Sequence, residues 1–163
     1  MDVENNEFLH FVALADEQQL DYLLIGGLAL ILNGVVRITR DADIWLRPDN
    51  DNRDRFINVL LAYGYTEEEV QPMRIADFTQ PQIIRIFDIP MDVLTSVHRR
   101  FDYAACKQRA KSFRTNRGQT IYFLHINDLR EAKVLARRTK DLNDILLIDE
   151  LIDEIKKREG RDE

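Results

Sequence analysis

The sequence predicts an α+β protein in which a mixed sheet is flanked by helices and followed by C-terminal helices. Three observations support this prediction. A short apolar strand at residues 22–25 precedes helical patterns, two strand-like runs lie close together within residues 82–95, and residues 140–158 repeat apolar side chains at helical spacing. At 163 residues, of which 45% are hydrophobic, the chain can bury one substantial core.

The predicted elements follow one another along the whole chain. We expect helices at residues 4–20, 27–33, 50–63, 66–73, 100–107, 126–138 and 140–158, strands at 21–25, 42–47, 82–88 and 91–95, and a hairpin at 110–123. The helix at 50–63 has a clear start and end, because Asp49 or Asn50 can cap it and Gly64 can close it. We expect residues 1–125 to form a core on which residues 126–163 pack as a helical extension, in a single compact unit.

The last predicted helix has a wide apolar face. Its members are Leu142, Ile145, Leu146, Ile148, Leu151, Ile152 and Ile155. A face of this width needs a cover, which is supplied either by the chain's own core or by a partner helix or second subunit. Both interpretations are open at this point, and a homo-oligomer is one of the expected assemblies.

Composition excludes several classes of protein. No apolar run approaches the roughly 20 residues that a membrane-spanning helix needs, and the first residues lack the character of a signal peptide. We therefore expect a cytoplasmic protein without a membrane partner. Cys106 is the single cysteine, so an internal disulfide is excluded.

Two aspartates in the segment DADIWL stand one residue apart. In a strand, Asp41 and Asp43 point to the same face, so two carboxylates converge. Like charges this close call for a cation or a proton, and Mg²⁺ prefers hard oxygen ligands of this kind. Taken alone, the pattern also fits a surface strand with two solvated acids.

A glycine pair precedes these acids. Gly26 and Gly27 follow the short apolar strand and open a helix-compatible segment. Glycines let the backbone approach a ligand closely, and a helix start offers free N–H groups to an anion. Together with Asp41 and Asp43, the pair predicts phosphate held beside a metal ion.

A third carboxylate is available between residues 82 and 95. Asp92 lies between apolar Met91 and Val93, where burying an unpaired charge needs an explanation. Asp88 competes for the role, but its position beside Ile89-Pro90 has an ordinary explanation as a turn residue. We therefore prefer Asp92.

On these residues the chain resembles the DNA polymerase beta-like nucleotidyltransferases, within them the small bacterial branch that includes toxin-type enzymes. The matching motifs are Gly26-Gly27, the R-x-T-x-D-x-D run from Arg37 to Asp43, the later single Asp92, and K-x-x-x-R-R-x-K-D-L-x-D from Lys133 to Asp144. The resemblance covers most of the chain. One departure is Leu28, because the family's glycine motif usually continues with serine.

The resemblance implies a polymerase beta-like core with a catalytic, metal-binding set of Asp41, Asp43 and Asp92. Two Mg²⁺ ions, or Mn²⁺ in their place, would bind there, and Asp92 would help to activate the acceptor. Such enzymes attack the α-phosphate of a nucleoside triphosphate and release pyrophosphate. The implied nucleotide- and phosphate-binding residues are Gly26, Gly27, Arg37, Thr39, Arg40, Lys133, Arg137, Lys140 and Asp141, and Asp141 can also orient Lys133 or Arg138 by an ion pair.

Positive charge is concentrated in the middle of the chain. Residues 97–140 hold 12 basic and 3 acidic residues, although the net charge of the chain is −6. Lys133 and Arg137, four residues apart, share one face of the predicted helix and can reach bound phosphates. A second basic set flanks the predicted hairpin and can track a nucleic-acid backbone, with aromatic residues nearby: Lys107, Lys111, Arg114 and Arg117, beside Phe113 and Tyr122.

Three functional interpretations follow. The first is Mg²⁺-dependent transfer of a nucleotide to a hydroxyl of a macromolecule, either RNA, particularly tRNA, or protein, with a possible antitoxin as partner. The second, which Leu28 and the acidic net charge favour, is an inactive nucleotide-sensing or partner-binding module of the same fold. The third is transfer to a small molecule such as an aminoglycoside, which an acidic acceptor cleft would favour.

Overall fold

The computed structural model describes residues 1–86 and 88–161 and has the α+β architecture that the sequence predicts. The strands of these residues are β1 (Tyr22–Ile25), β2 (Ala42–Leu46), β3 (Ile83–Ile86), β4 (Met91–Leu94), β5 (Lys111–Arg114) and β6 (Thr120–Phe123). The helices are α1 (Asn6–Glu17), α2 (Gly26–Leu32), α3 (Asn50–Tyr63), α4 (Glu67–Arg74), α5 (Tyr103–Arg109), α6 (Ile126–Ala136) and α7 (Thr139–Arg161). Phe87, at the end of a predicted strand, lies outside the described residues.

The described strands form one mixed sheet in the order β3-β4-β2-β1-β6-β5. β2 pairs in parallel with β4 and antiparallel with β1, while β1 pairs in parallel with β6. The outer pairs, β3 with β4 and β5 with β6, are antiparallel hairpins. β2 and β4, the strands that carry Asp43 and Asp92, are therefore neighbours. β1 separates them from the hairpin of β5 and β6, here called the basic hairpin.

Local side chains explain where the helices start. The Asp49 side chain accepts a hydrogen bond from the Asn52 N–H, which decides between the two predicted caps of α3, and Gly64 closes that helix at φ 129°. Thr66 and Glu69 form a capping box at the start of α4. These contacts are local in sequence, which is why the bounds of both helices were predictable to within a residue.

The core lies on both faces of the inner strands. All four residues of β1 are buried, as expected for a strand covered on both sides. α1 contributes Phe8 and Phe11, and α3 contributes Phe56. Trp45 of β2 is also buried, and its indole N–H donates to the Thr95 carbonyl at 3.1 Å. Asp43 of β2 and Asp92 of β4 thus extend from a well-packed layer.

The C-terminal helices correct one prediction. α6 ends at Ala136 instead of residue 138, because Arg137 adopts the left-handed conformation with φ 54° and turns the chain into α7. Ile148 of α7 joins the core, whereas Leu142 and Leu146 are 60% and 62% exposed. The apolar face of α7 is therefore only partly covered by its own chain.

Within the described part of the chain, no helix combines the length and the apolar character needed to cross a membrane.

Candidate active site

Three aspartates, here called the sheet acids, line one wall of a cavity: Asp41, Asp43 and Asp92. In the parallel pairing of β2 with β4, Asp43 lies directly opposite Asp92, and Asp41 stands one residue before β2. Partners in register project from the same face of a sheet. The structure therefore brings together the three acids that the sequence singled out, while Asp88 lies in the turn between β3 and β4 and does not line the cavity.

The glycine pair makes room for side chains of the site. Gly26 has φ +64°, and a Cβ there would overlap the carboxylate of Asp43. A Cβ on Gly27 would lie 2.6 Å from the hydroxyl oxygen of Thr39. The missing Cβ atoms thus let Asp43 and Thr39 pack against the turn that starts α2. This explains the glycines without a bound ligand, although both also line the cavity.

Arg85 of β3 bridges two of the sheet acids. Its Nη1 donates to Asp92 Oδ1 at 3.0 Å, and its Nη2 donates to Asp41 Oδ1 at 3.2 Å. The antiparallel register sets Arg85 directly opposite Asp92. The sequence reasoning missed this residue. A usable indication was present, since Arg85 is the one charged residue of the β3 run IIRI, on the strand next to the one that carries Asp92.

The environment of Asp43 disfavours its charged form. Burial is the main cause, and the neighbouring charges of Asp92 and Asp41 add to it, so that the pKa of Asp43 is raised to about 6. Lys133 and Lys140 lower this pKa, but only through space and without a hydrogen bond to the carboxylate. Among the described residues, Asp43 therefore has no directly bonded cation, whereas Asp41 and Asp92 are bonded to Arg85.

The donor set of the sheet acids fits a divalent metal ion. Clustered carboxylate oxygens are the ligands that Mg²⁺ prefers, and the Arg85 bridge shows that Asp41 and Asp92 accept one cation between them. In residues 1–86 and 88–161, however, no three His, Cys, Asp or Glu side chains are grouped closely enough to hold a metal ion. Asp41 and Asp92 are turned towards Arg85 instead. The metal role of the sheet acids stays a prediction.

A second acidic group, here called the helix acids, consists of Asp141 and Asp144 at the start of α7. The Lys133 ammonium lies 3.2 Å from Asp141 and 2.8 Å from Asp144. Asp141, which is fully buried, also accepts from Arg138, so both ion pairs predicted for it are present. Arg37 donates to both oxygens of Asp144 at 2.8 Å. The helix acids thus fasten α6 and the segment before β2 to α7.

The remaining predicted phosphate ligands divide into two groups. Arg40 and Lys140 are exposed and line the cavity, as does Thr39, whose hydroxyl donates to the Asp41 carbonyl at 3.2 Å. Arg137 is exposed and does not line the cavity, because its left-handed conformation ends the helix whose face it was predicted to share with Lys133. Asp141 lies behind the cavity wall and contacts it through Lys133.

The cavity itself has a volume of about 950 Å³, at the upper end of the range for small-molecule sites. Its wall combines the sheet acids and the cations named above with apolar side chains from the sheet, from α6 and from connecting segments. The apolar residues, none of which the prediction included, are Ile25, Ile38, Ile83, Leu94, Val97, Leu124, Leu129, Ala132 and Ala136, and Asn143 of α7 adds a polar side chain. A ligand with an anionic part and a flat apolar part suits this lining.

Two residues that lie close in sequence to the predicted site face the core. Leu28, which stands where the related motif has serine, is 1% exposed and does not line the cavity. Trp45 packs edge-on against Tyr103 and is likewise absent from the lining. Neither side chain can therefore contact a ligand in the cavity.

The basic hairpin lies at the other edge of the sheet. Lys107 is paired with Asp21 at 3.2 Å and lies over the Tyr122 ring, 4.3 Å from its centre. The other predicted contacts, Lys111, Arg114 and Arg117, are exposed, and Phe113 packs partly into the core. Tyr122 is the more exposed of the two aromatic residues, at 44%.

Comparison with known proteins gives one match. No curated protein and no solved structure is significantly similar to the chain. A family model described as a nucleotidyltransferase of unknown function, DUF6036, matches residues 7–157. The match spans every helix and strand that contributes to the cavity, including the sheet acids and the helix acids. The chain therefore belongs to this nucleotidyltransferase family.

Proposed function

We propose that the protein transfers a nucleoside monophosphate from a nucleoside triphosphate to a hydroxyl of a macromolecular acceptor, RNA such as tRNA or protein, and that it requires Mg²⁺. The observation on which this depends most is that three sheet acids line a cavity whose wall also carries cations. Family membership supports the general class of reaction. The acceptor, the nucleotide and the metal requirement are the proposed part.

In this proposal each sheet acid has a task. Asp41 and Asp43 hold the metal, and Asp92 orients the acceptor hydroxyl and takes its proton. A Mg²⁺ ion held by these carboxylates would supply positive charge that stabilises the charge developing on the phosphate oxygens. The acceptor oxygen forms a bond to the α-phosphorus, the bond from that phosphorus to the bridging oxygen breaks, and pyrophosphate leaves with the bonding electrons.

The cations of the cavity position the triphosphate. Arg40 and Lys140 are the better candidates for direct contact, since neither has an ion pair with an acid in the described part of the chain. Lys133 and Arg37 already form ion pairs with the helix acids. In this proposal they therefore add positive electrostatic potential to the cavity and hold its wall in place. Backbone N–H groups near Gly26 and Gly27 take the place of the serine that Leu28 replaces.

Surfaces outside the cavity support the proposed acceptor and partner. Lys111, Arg114 and Arg117 of the basic hairpin favour an RNA acceptor, because exposed basic residues attract a phosphate backbone. Leu142 and Leu146 of α7 offer an apolar surface for a partner protein, an antitoxin or a second copy of this chain.

The test uses purified protein, Mg²⁺ and each α-labelled nucleoside triphosphate, incubated with total RNA, protein or metabolites. We expect pyrophosphate release and label in the RNA or protein fraction, and loss of both in Asp41→Asn. Asp149→Asn is the matched control, because Asp149 pairs with Arg130 away from the cavity. Label confined to the metabolite fraction would redirect the proposal to a small-molecule acceptor. Absence of both label and pyrophosphate release would contradict transfer.

A second function has one specific observation in its favour. Leu28 stands where the related motif has serine, and its side chain has no hydroxyl and is buried in the core. This position therefore gives no polar side-chain contact to a ligand in the cavity. An inactive nucleotide-sensing or partner-binding module of the same fold would tolerate this loss. It predicts nucleotide binding that Asp41→Asn weakens, without pyrophosphate release under any acceptor condition.

A further inference from the structure

One guanidinium group holds two of the three sheet acids. Arg85 contacts Asp92 at 3.0 Å and Asp41 at 3.2 Å through two different nitrogens. Asp43 lies opposite Asp92 in the pairing of β2 with β4 and follows Asp41 by two residues, but it is not part of this bridge. Arg85 thus shares its single positive charge between two of the carboxylates, and within the described residues no cation contacts Asp43 directly.

The bridge sits where it can open. Arg85 lies on β3, which forms one edge of the sheet, and its side chain is 37% exposed. Asp41 and Asp92 are exposed to a similar degree, 40% and 36%. Moving the guanidinium into solvent therefore leaves no void in the core, and ion pairs this exposed are weak.

We propose that Arg85 is a competing internal cation, which occupies Asp41 and Asp92 in the metal-free protein and leaves them when a divalent ion binds. The inference rests on the metal requirement of the proposed function. The same carboxylate oxygens serve both cations, and two positive groups at one carboxylate pair repel each other. Among the described residues the sheet acids are not grouped as metal ligands, while Arg85 contacts two of them.

The other cations of the cavity do not share this position. Lys133 is bonded to Asp141 and Asp144, 3.2 and 2.8 Å away. Arg40 lines the cavity and contacts none of the sheet acids within the described part of the chain. Arg40 is therefore a matched control: removing it takes away one positive charge near the acids without removing a direct contact.

The experiment is a calorimetric titration of the chelator-treated full chain with Mn²⁺. We expect Arg85→Gln to bind Mn²⁺ more tightly than the wild type, on the order of tenfold. Arg40→Gln should tighten binding much less. Arg85→Lys, which keeps the charge but lacks the two-nitrogen fork, should fall between wild type and Arg85→Gln, and it serves if Arg85→Gln does not fold.

Each other outcome overturns the inference. Unchanged or weaker Mn²⁺ binding by Arg85→Gln would mean that Arg85 does not compete with the metal ion. Equal tightening by Arg40→Gln would mean that Mn²⁺ affinity depends only on the total positive charge near the sheet acids. Either result leaves the proposed function standing if Mg²⁺-dependent pyrophosphate release is observed. Absence of Mn²⁺ binding by every variant contradicts both the competition and the metal requirement.

Discussion

The sheet acids line the cavity, and the helix acids lie at its wall (Asp144) and behind it (Asp141), but the charges of the two groups are balanced in opposite ways. Asp43 is partly buried beside two other acids and has no directly bonded cation among the described residues, so its pKa rises to about 6. Burial also acts on Asp141, but hydrogen bonds from Arg138 and Lys133 outweigh it and lower the pKa of that carboxyl. The helix acids therefore have the properties of a structural ion-pair network, whereas the sheet acids remain the candidates for the proposed metal role.

The largest expected effect is on the rate of pyrophosphate release, which should depend on the sheet acids. Asp43→Asn should reduce pyrophosphate release by roughly 10³-fold, as expected when a central electrostatic group of an active site is lost. The same change should not lower the free energy of unfolding of the metal-free protein at pH 7, because it removes repulsion. Steady-state rates and urea unfolding measure both. A destabilised Asp43→Asn would show that this carboxylate supports the fold.

The second effect is on the free energy of unfolding, which should depend on the helix acids. Asp141→Ala should lower the free energy of unfolding by about 3 kcal/mol, because it leaves the buried end of Lys133 with one partner fewer. Asp149→Ala is the control, since the Arg130–Asp149 pair is exposed and worth about 1 kcal/mol or less. Urea unfolding at pH 7 gives both values. Equal losses in the two variants would mean that burial adds nothing to the Asp141 network.

A third, smaller effect tests how the glycine turn supports the sheet acids. Gly26→Ala should cost about 2 to 3 kcal/mol, because the new Cβ adds overlap with Asp43 to backbone strain at φ +64°. Gly64→Ala has a positive φ as well but no atom within 4 Å of the new Cβ, and should cost about 1 to 2 kcal/mol. Thermal or urea unfolding compares them. Transfer activity should fall in Gly26→Ala alone, and a parallel fall in Gly64→Ala would point to a general loss of folding.

The smallest effect is a pH dependence with opposite sign in the two groups. Because the folded pKa of Asp43 is raised from 3.8 to about 6, the metal-free protein loses stability as pH rises through this window. The loss should amount to about 2 kcal/mol or less and should vanish in Asp43→Asn. The folded pKa of Asp141 is depressed, so its contribution is present above pH 3.8 and is lost only at lower pH. Asp141→Asn should therefore keep the wild-type slope between pH 4 and 6, and urea titrations at several pH values would show whether it does.

Much of the fold was predictable because its determinants are local. The cap at Asp49, the closing Gly64 and the alternation around Asp43 each depend on neighbours within a few residues. The end of α6 was not, since the left-handed Arg137 depends on how α7 folds back onto α6. Helix propensity alone gave no reason to stop at Ala136.

The candidate site was predictable to a similar extent. The sheet acids and Gly26 could be selected from residue type and spacing. The partners of Lys133 could not, because its contacts with the helix acids depend on the packing of α6 against α7. For the same reason the free cations of the cavity, Arg40 and Lys140, could not be told apart from the bonded ones.

By itself the sequence determined the order of elements, the three acids and the glycine turn, because strand alternation and helix capping are set by short-range geometry. Only the tertiary structure decided how charge is distributed among them. Register between β3 and β4 set Arg85 against Asp92, and packing of α6 on α7 gave Lys133 to the helix acids. Electrostatic balance depends on distances between residues far apart in sequence, and those distances exist only once the chain has folded.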